Sequence, residues 1–204
     1  MARINKTLLI LALVSLAIFL FISLNLNLFS NINFTFNKFS ESNQIEPFVT
    51  IAKIISYIFE PIYIIILIII ISTILYFKKL KKDAIFLALT SLIGGIIELA
   101  YKEITQIARP LNSLITETSS SFPSGHSMIS VILFGFLIYF SIKHLKSKSA
   151  KITITILSAL LILIIGLSRI YLNVHWFSDV LAGFALGAFI LLFSILARKI
   201  SEKN

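Results

Sequence analysis

The 204-residue chain contains no cysteine. That absence excludes disulfides, thiolate metal centres and cysteine nucleophiles. Charge is also scarce: 13% of residues are Asp, Glu, Lys or Arg, and only nine are acidic against eighteen Lys and Arg. With 58% hydrophobic residues and a mean hydropathy of +1.00, a soluble domain of this length would lack the polar surface to cover itself. The apolar residues are gathered in runs long enough to cross a bilayer, which takes about 20 residues as a helix. The net charge of +9 is therefore read through membrane topology and not as a nucleic-acid footprint.

Six spans are predicted, at about residues 7–28, 60–77, 83–101, 127–143, 152–169 and 178–197. The expected fold is an all-α bundle of six transmembrane helices, one domain over residues 1–204. The first run follows Arg3 and Lys6 as a signal peptide would, but it exceeds twenty apolar-rich residues and no small-x-small cleavage site follows, so it reads as a retained anchor. Thirteen Lys and Arg fall on one side of these spans and five on the other. Positive residues favour the cytoplasm, so both termini are expected inside and the loops 29–59, 102–126 and 170–177 outside. Within 29–59, "FSNINFTFNKFSESNQ" is rich in Asn, Ser and Phe and reads as connection, whereas "IEPFVTIAKIISYIFE" has helical apolar spacing and predicts a short helix on the membrane surface.

Topology leaves three polar clusters on the outer side unexplained. In "YKEITQIARP", Lys102 and Arg109 are seven apart, so on a continuing helix they share a face about 10 Å apart, and Pro110 then ends the helix. Taken singly, either could be a cation snorkelling to the interface. In "SSSFPSGHSM", the turn through Pro123 and Gly125 opens a span at Ser127 and exposes unpaired backbone N–H groups that suit an anion. Ser124 could be an ordinary helix cap, but that leaves His126 without a reason. In "GLSRIYLNVHWFSD", Ser168 and Arg169 close one span, and His175 and Asp179 stand four apart where the next begins. Asp179 could be a dipole partner or cap; it could equally hold one ring N–H of His175 and leave the other nitrogen as base or nucleophile. Three cations and a backbone turn can neutralise a phosphoryl group, one histidine can attack it and the other can protonate the leaving oxygen. Ionisable residues at a membrane edge are costly, and a substrate with its tail in the bilayer and its phosphate at the rim would account for them.

These clusters resemble the three-part signature of the type 2 phosphatidic acid phosphatase (PAP2) superfamily: K-x6-R-P in "KEITQIARP", P-S-G-H in "PSGH", and S-R-x5-H-x3-D in "SRIYLNVHWFSD". The resemblance implies that His175 is the nucleophile that forms a phosphohistidine, that Asp179 orients it, and that His126 protonates the leaving group and then activates water. It implies that Lys102, Arg109 and Arg169 grip the phosphate with Ser124 and the Gly125 backbone, with no metal and no cofactor. One departure is Asn173, where similar proteins often carry Gly; Asn tolerates a left-handed turn, so the bend is expected to persist. Similar six-span proteins act on phosphatidylglycerophosphate, phosphatidic acid, diacylglycerol pyrophosphate or undecaprenyl pyrophosphate. The expected partners are such a lipid phosphate and the surrounding membrane lipids. A phosphotransferase, or a lipid-phosphate carrier using the same pocket without hydrolysis, stays open at this point. A vanadium haloperoxidase, which shares the signature, is disfavoured because those enzymes are larger and soluble.

Overall fold

The computed structural model describes residues 5–201. Among these residues every regular element is helical: α1 (Lys6–Leu24), α2 (Ser30–Ser42), α3 (Glu46–Ile58), α4 (Pro61–Phe77), α5 (Lys81–Thr105), α6 (Gly125–His144), α7 (Lys148–Tyr171) and α8 (Phe177–Ser201), with a 3-10 turn at Leu26–Phe29 before α2. Helices α1, α5, α6, α7 and α8 are each long and apolar enough to cross a membrane. α3 and α4 pass the same test only together, and they meet at a bend of 47°. The reason is length: the 17 residues of α4 rise about 25 Å against a hydrocarbon core of about 30 Å. The chain is a multi-pass membrane protein with five to six candidate spans.

The apolar residues divide by face. On α4, Ile64 and Ile68 are buried while Ile62, Ile65, Ile66, Ile69 and Ile70 are exposed, an apolar face suited to a lipid surround. α6 is the central helix: Met128, Ile132, Leu133 and Phe136 are buried, and it packs on α5, α7 and α8. α1 lies along α8, burying Ala12, Phe19 and Ile22.

The α6–α8 contact is made close by two small residues. A Cβ on Gly183 would stand 2.5 Å from the Ser124 carbonyl oxygen, and one on Gly187 would stand 2.6 Å from that of Met128. Glycines four apart let two membrane helices approach backbone to backbone. Here they carry the start of α6 against the start of α8, where the Ser124 N–H donates to the Asp179 carbonyl at 3.1 Å.

The two poles of the bundle differ in chemistry. At one, buried Asp83 at the start of α5 binds Arg198 of α8 at 2.8 Å and His144 of α6 at 3.2 Å, with Lys143 at 3.7 Å. This joins three helix ends. The other pole carries the loops of the polar clusters.

Several boundaries differ from the sequence expectation. The stretch 30–42, read as connection, is the helix α2. It rests on α7 and α8, and Asn33 exchanges two hydrogen bonds with Ser178, at 2.9 and 3.0 Å. Tertiary contacts thus favour a helix that polar composition does not announce. The expected helix near 45–60 is present as α3. α5 does not continue to Pro110: it stops at Thr105, where Gln106 takes a left-handed conformation with φ 44°. Lys102 and Arg109 are therefore not on one helical face; Arg109 sits in the loop that follows. α6 starts at Gly125, two residues before the expected Ser127. Asn173 has φ 52°, the left-handed turn expected in place of glycine.

Candidate active site

His175 lies in the short turn between α7 and α8 and is 3% exposed. Its Nδ1 lies 2.7 Å from the carbonyl oxygen of Ser121. A carbonyl only accepts, so Nδ1 carries the proton and Nε2 presents its lone pair. That lone pair faces Arg109 Nη1 at 3.2 Å. Burial first, then the Arg169 and Arg109 cations, hold the imidazole well below the ordinary histidine range. The ring is neutral with Nε2 unprotonated, the state a nucleophile requires.

Asp179 does two things with one oxygen. Its Oδ2 accepts from the Trp176 N–H at 2.9 Å, capping α8, and lies 3.5 Å from His175 Nδ1. The capping role weighed from sequence is present, whereas the ring N–H that Asp179 was expected to hold is given to the Ser121 carbonyl, with the carboxyl a longer contact behind it.

Arg109 ties the loops together. Its Nε donates to the Ser119 carbonyl at 2.9 Å, its Nη1 to the Val174 carbonyl at 3.0 Å, and its Nη2 pairs with Glu117 at 2.7 Å. Ser120 and Ser121 fold back on the strand-like segment before Arg109: the Ser120 hydroxyl accepts from Ile107 N–H at 2.9 Å, and Ser121 N–H donates to the Ile107 carbonyl at 2.9 Å. The Trp176 indole N–H reaches the Ala108 carbonyl at 2.8 Å. All three sequence clusters thus meet at one pole of the bundle.

The remaining predicted residues fall as follows. Arg169, fully buried on α7, pairs with Glu117 and donates to the Ser56 hydroxyl of α3. Lys102 pairs with Glu98 one turn earlier on α5 at 2.7 Å. Ser124 is the buried N-cap residue of α6, but its hydroxyl makes no cap bond and instead accepts from the Ser127 hydroxyl at 3.1 Å. Gly125 faces Glu98, whose carboxylate fills the space where a side chain would begin. His126 is buried near the start of α6, with Nε2 3.3 Å from Glu60 Oε2. Lys102, Arg109 and Glu117 line a cavity of about 470 Å³ together with Gln106, Ser119 and Ser120. The imidazoles lie deeper, outside its lining.

Sequence reasoning missed the acids. Glu60, Glu98 and Glu117 each sit on a cation or histidine of the cluster. Glu117 bridges Arg109 and Arg169 in the way a phosphate would, offering two oxygens to two guanidiniums. Glu98 stands four before Lys102 on α5, a spacing the sequence does show, whereas Glu60 and Glu117 lie in connections with no periodicity to betray them. Among the described residues no group of three or more His, Asp and Glu is arranged to hold a metal ion.

The chain is similar to known proteins in sequence and in fold. The sequence pattern of the PAP2 superfamily matches residues 62–201, more than half of the chain. The chain belongs to the PAP2 superfamily. Within it, the chain is 36% identical to phosphatidylglycerophosphatase B of Bacillus subtilis (strain 168) over 140 residues, covering 67% of each protein. Its fold is similar to the crystal structure of a transmembrane PAP2 type phosphatidylglycerolphosphate phosphatase from Bacillus subtilis, with a TM-score of 0.82, 26% identity and 96% of each chain covered. The superposition takes in the elements outside the family pattern too, α1 to α3, so the whole bundle is a PAP2 arrangement.

Proposed function

We propose that this PAP2 protein is a membrane phosphatase that removes the terminal phosphate of a phosphatidylglycerophosphate-type lipid through a phosphohistidine on His175. The enzyme class follows from family membership: a hydrolase of lipid phosphates. The substrate follows from the names of the two relatives. The observation that carries the mechanism is the neutral His175, with Nε2 facing Arg109, in a cluster that also contains Arg169, Lys102 and a second histidine.

Nε2 of His175 attacks phosphorus as the bond to the leaving oxygen breaks, and His126 gives that oxygen a proton. His126, now neutral, takes a proton from water; the hydroxide attacks phosphorus, the P–N bond breaks, and phosphate and free His175 result. Lys102, Arg109 and Arg169 carry the charge that builds on the phosphoryl oxygens, aided by Ser124 and the Gly125 N–H. Catalysis by positioning and fixed charge suffices for this reaction, so turnover is proposed to need no metal.

In the full reading the chain is one six-span unit over 1–204, with α4 as the second span and α3 lying on the outer surface. Both termini are cytoplasmic and the site faces outward, supported by thirteen cationic residues on the terminal side against five on the site side. The test is phosphate release by purified protein over a panel of phosphatidylglycerophosphate, phosphatidic acid, diacylglycerol pyrophosphate and undecaprenyl pyrophosphate, with and without chelator. Preference for the first, unaffected by chelator and lost in His175→Ala, is expected. Lipid binding with no release of phosphate would turn the reading to a carrier, and label appearing on a second lipid would turn it to a phosphotransferase.

A further inference from the structure

Glu60 stands at the 47° bend between α3 and α4. Its main chain is fixed from both sides: its N–H donates to the Tyr57 carbonyl at 3.2 Å, and its carbonyl accepts from Tyr63 and Ile64 at 2.9 and 3.1 Å. Pro61 follows as the first residue of α4. The side chain stays half exposed at the bend, and its Oε2 comes to 3.3 Å from Nε2 of the buried His126. That contact, outweighing burial, holds the Glu60 carboxyl below its ordinary value, so the group is an anion. One turn earlier on α3, Ser56 accepts a hydrogen bond from Arg169.

We infer that Glu60 is the positioning residue of His126, holding the ring by Nε2 so that Nδ1 serves the leaving oxygen. This rests on the proposed function, in which His126 is the acid. An acid must arrive at the reaction as imidazolium, with both nitrogens protonated. A carboxylate on one N–H stabilises that charge and sets the ring plane, as carboxylates do for catalytic histidines elsewhere. The charged groups that face His126 are Glu60 from the bend, Glu117 from the loop and Arg169 from α7. Of these Glu60 is the one whose carboxylate comes within ion-pair distance of the ring, at 3.3 Å from Nε2, an atom with no other partner among the described residues. The Nε2 proton stays on His126 throughout. The Nδ1 proton goes to the leaving oxygen and is replaced from the attacking water, so the ring ends as it began.

Two substrates with one phosphoryl group and different leaving groups test this in the full-length protein. A lipid monophosphate expels an alkoxide, which must be protonated; 4-nitrophenyl phosphate expels a phenolate, which need not be. Rapid-quench measurement of the first turnover isolates this step from the later attack of water. Glu60→Gln is expected to slow first-turnover release of the lipid alcohol at least tenfold, to leave the nitrophenol burst within threefold, and to be partly rescued in Glu60→Asp. His126→Ala is the control and is expected to show the same split on a larger scale. If His126→Ala slows both substrates equally, the acid role of His126 and with it the proposed mechanism fails. If His126→Ala shows the split and Glu60→Gln does not, the assignment of Glu60 alone fails. Equal loss on both substrates in Glu60→Gln, with vanadate still bound, would mark Glu60 as a mere brace and overturn the inference.

Discussion

The Nδ1 of His175 is nearer to the main-chain oxygen of Ser121, at 2.7 Å, than to the carboxylate of Asp179, at 3.5 Å. Main-chain geometry therefore sets the tautomer, and the Asp179 carboxyl is a second, longer contact behind the ring. Asp179→Asn should keep the ring in place and lose only that contact. Its kcat is expected to fall on the order of 100-fold, about 2.7 kcal/mol of barrier, whereas His175→Ala should leave no turnover above background. Trapping of the phosphoenzyme after acid quench checks the difference: still detectable in Asp179→Asn, gone in His175→Ala. Equal loss in both variants would contradict the geometry.

The neutral state of His175 has a consequence for pH. Burial and two arginines hold it well below the ordinary histidine value of 6.5, so at pH 6.5 the ring is already deprotonated and competent. The acid-side fall of kcat/KM should then lie clearly below pH 6.5, because only there does a proton occupy Nε2. A profile measured on a soluble aryl phosphate, with the fall centred at 6.5, would show that the nucleophile is an ordinary histidine.

Glu117 holds the two arginines that the mechanism assigns to phosphate. An incoming phosphoryl group has to displace it. Glu117→Gln should remove the competing anion, so that inhibition by vanadate or inorganic phosphate strengthens at least fivefold. The same change leaves the fully buried Arg169 without its anion, and loss of one partner of a buried pair costs about 3–5 kcal/mol. A drop in melting temperature in detergent should accompany tighter inhibition. An unchanged inhibition constant would mean that Glu117 does not occupy the phosphate position.

How much of this was legible in the sequence depends on the kind of residue. Lys102, Arg109, His126, Arg169, His175 and Asp179 could be read because charge in an apolar chain is conspicuous and their spacing follows a known signature. Five of the expected spans could be read from continuous apolar runs, while the one at 60–77 corresponds to α4, which is long enough only together with α3. α2 could not, since Asn, Ser and Thr favour turns and only docking on α7 and α8 makes that stretch helical. The shared face expected for Lys102 and Arg109 fails because Gln106, an unremarkable residue in a helical pattern, takes φ 44° and ends the helix early. Glu60 and Glu117 were invisible as partners because pairing with His126 and Arg169, 66 and 52 positions away, leaves no local pattern; Glu98, four before Lys102, did have a helical spacing that could have been read.

The glycines of α8 give a paired test. Gly183→Ala places a methyl group 2.5 Å from the Ser124 carbonyl, which must move α6 off α8. Overpacking of this kind costs about 1–3 kcal/mol, and here it also separates His126 from Asp179. Both melting temperature and kcat should fall. Gly95→Ala on α5 is the control, with nothing within 4 Å of the added carbon; a helix-interior gain of about 0.5–1 kcal/mol is expected without change in kcat. Comparable behaviour of the two variants, by melting and by kcat, would rule out the close approach as the feature that aligns the site.

Asp83 gathers Lys143, His144 and Arg198 at the pole opposite the chemistry. That knot closes the far end of the bundle, and the about 470 Å³ cavity opens at the near one. On the proposed function, the two products of a cleaved lipid phosphate would part by solubility: the anion into water through that cavity, the dephosphorylated lipid into the surrounding bilayer, with neither threading the bundle.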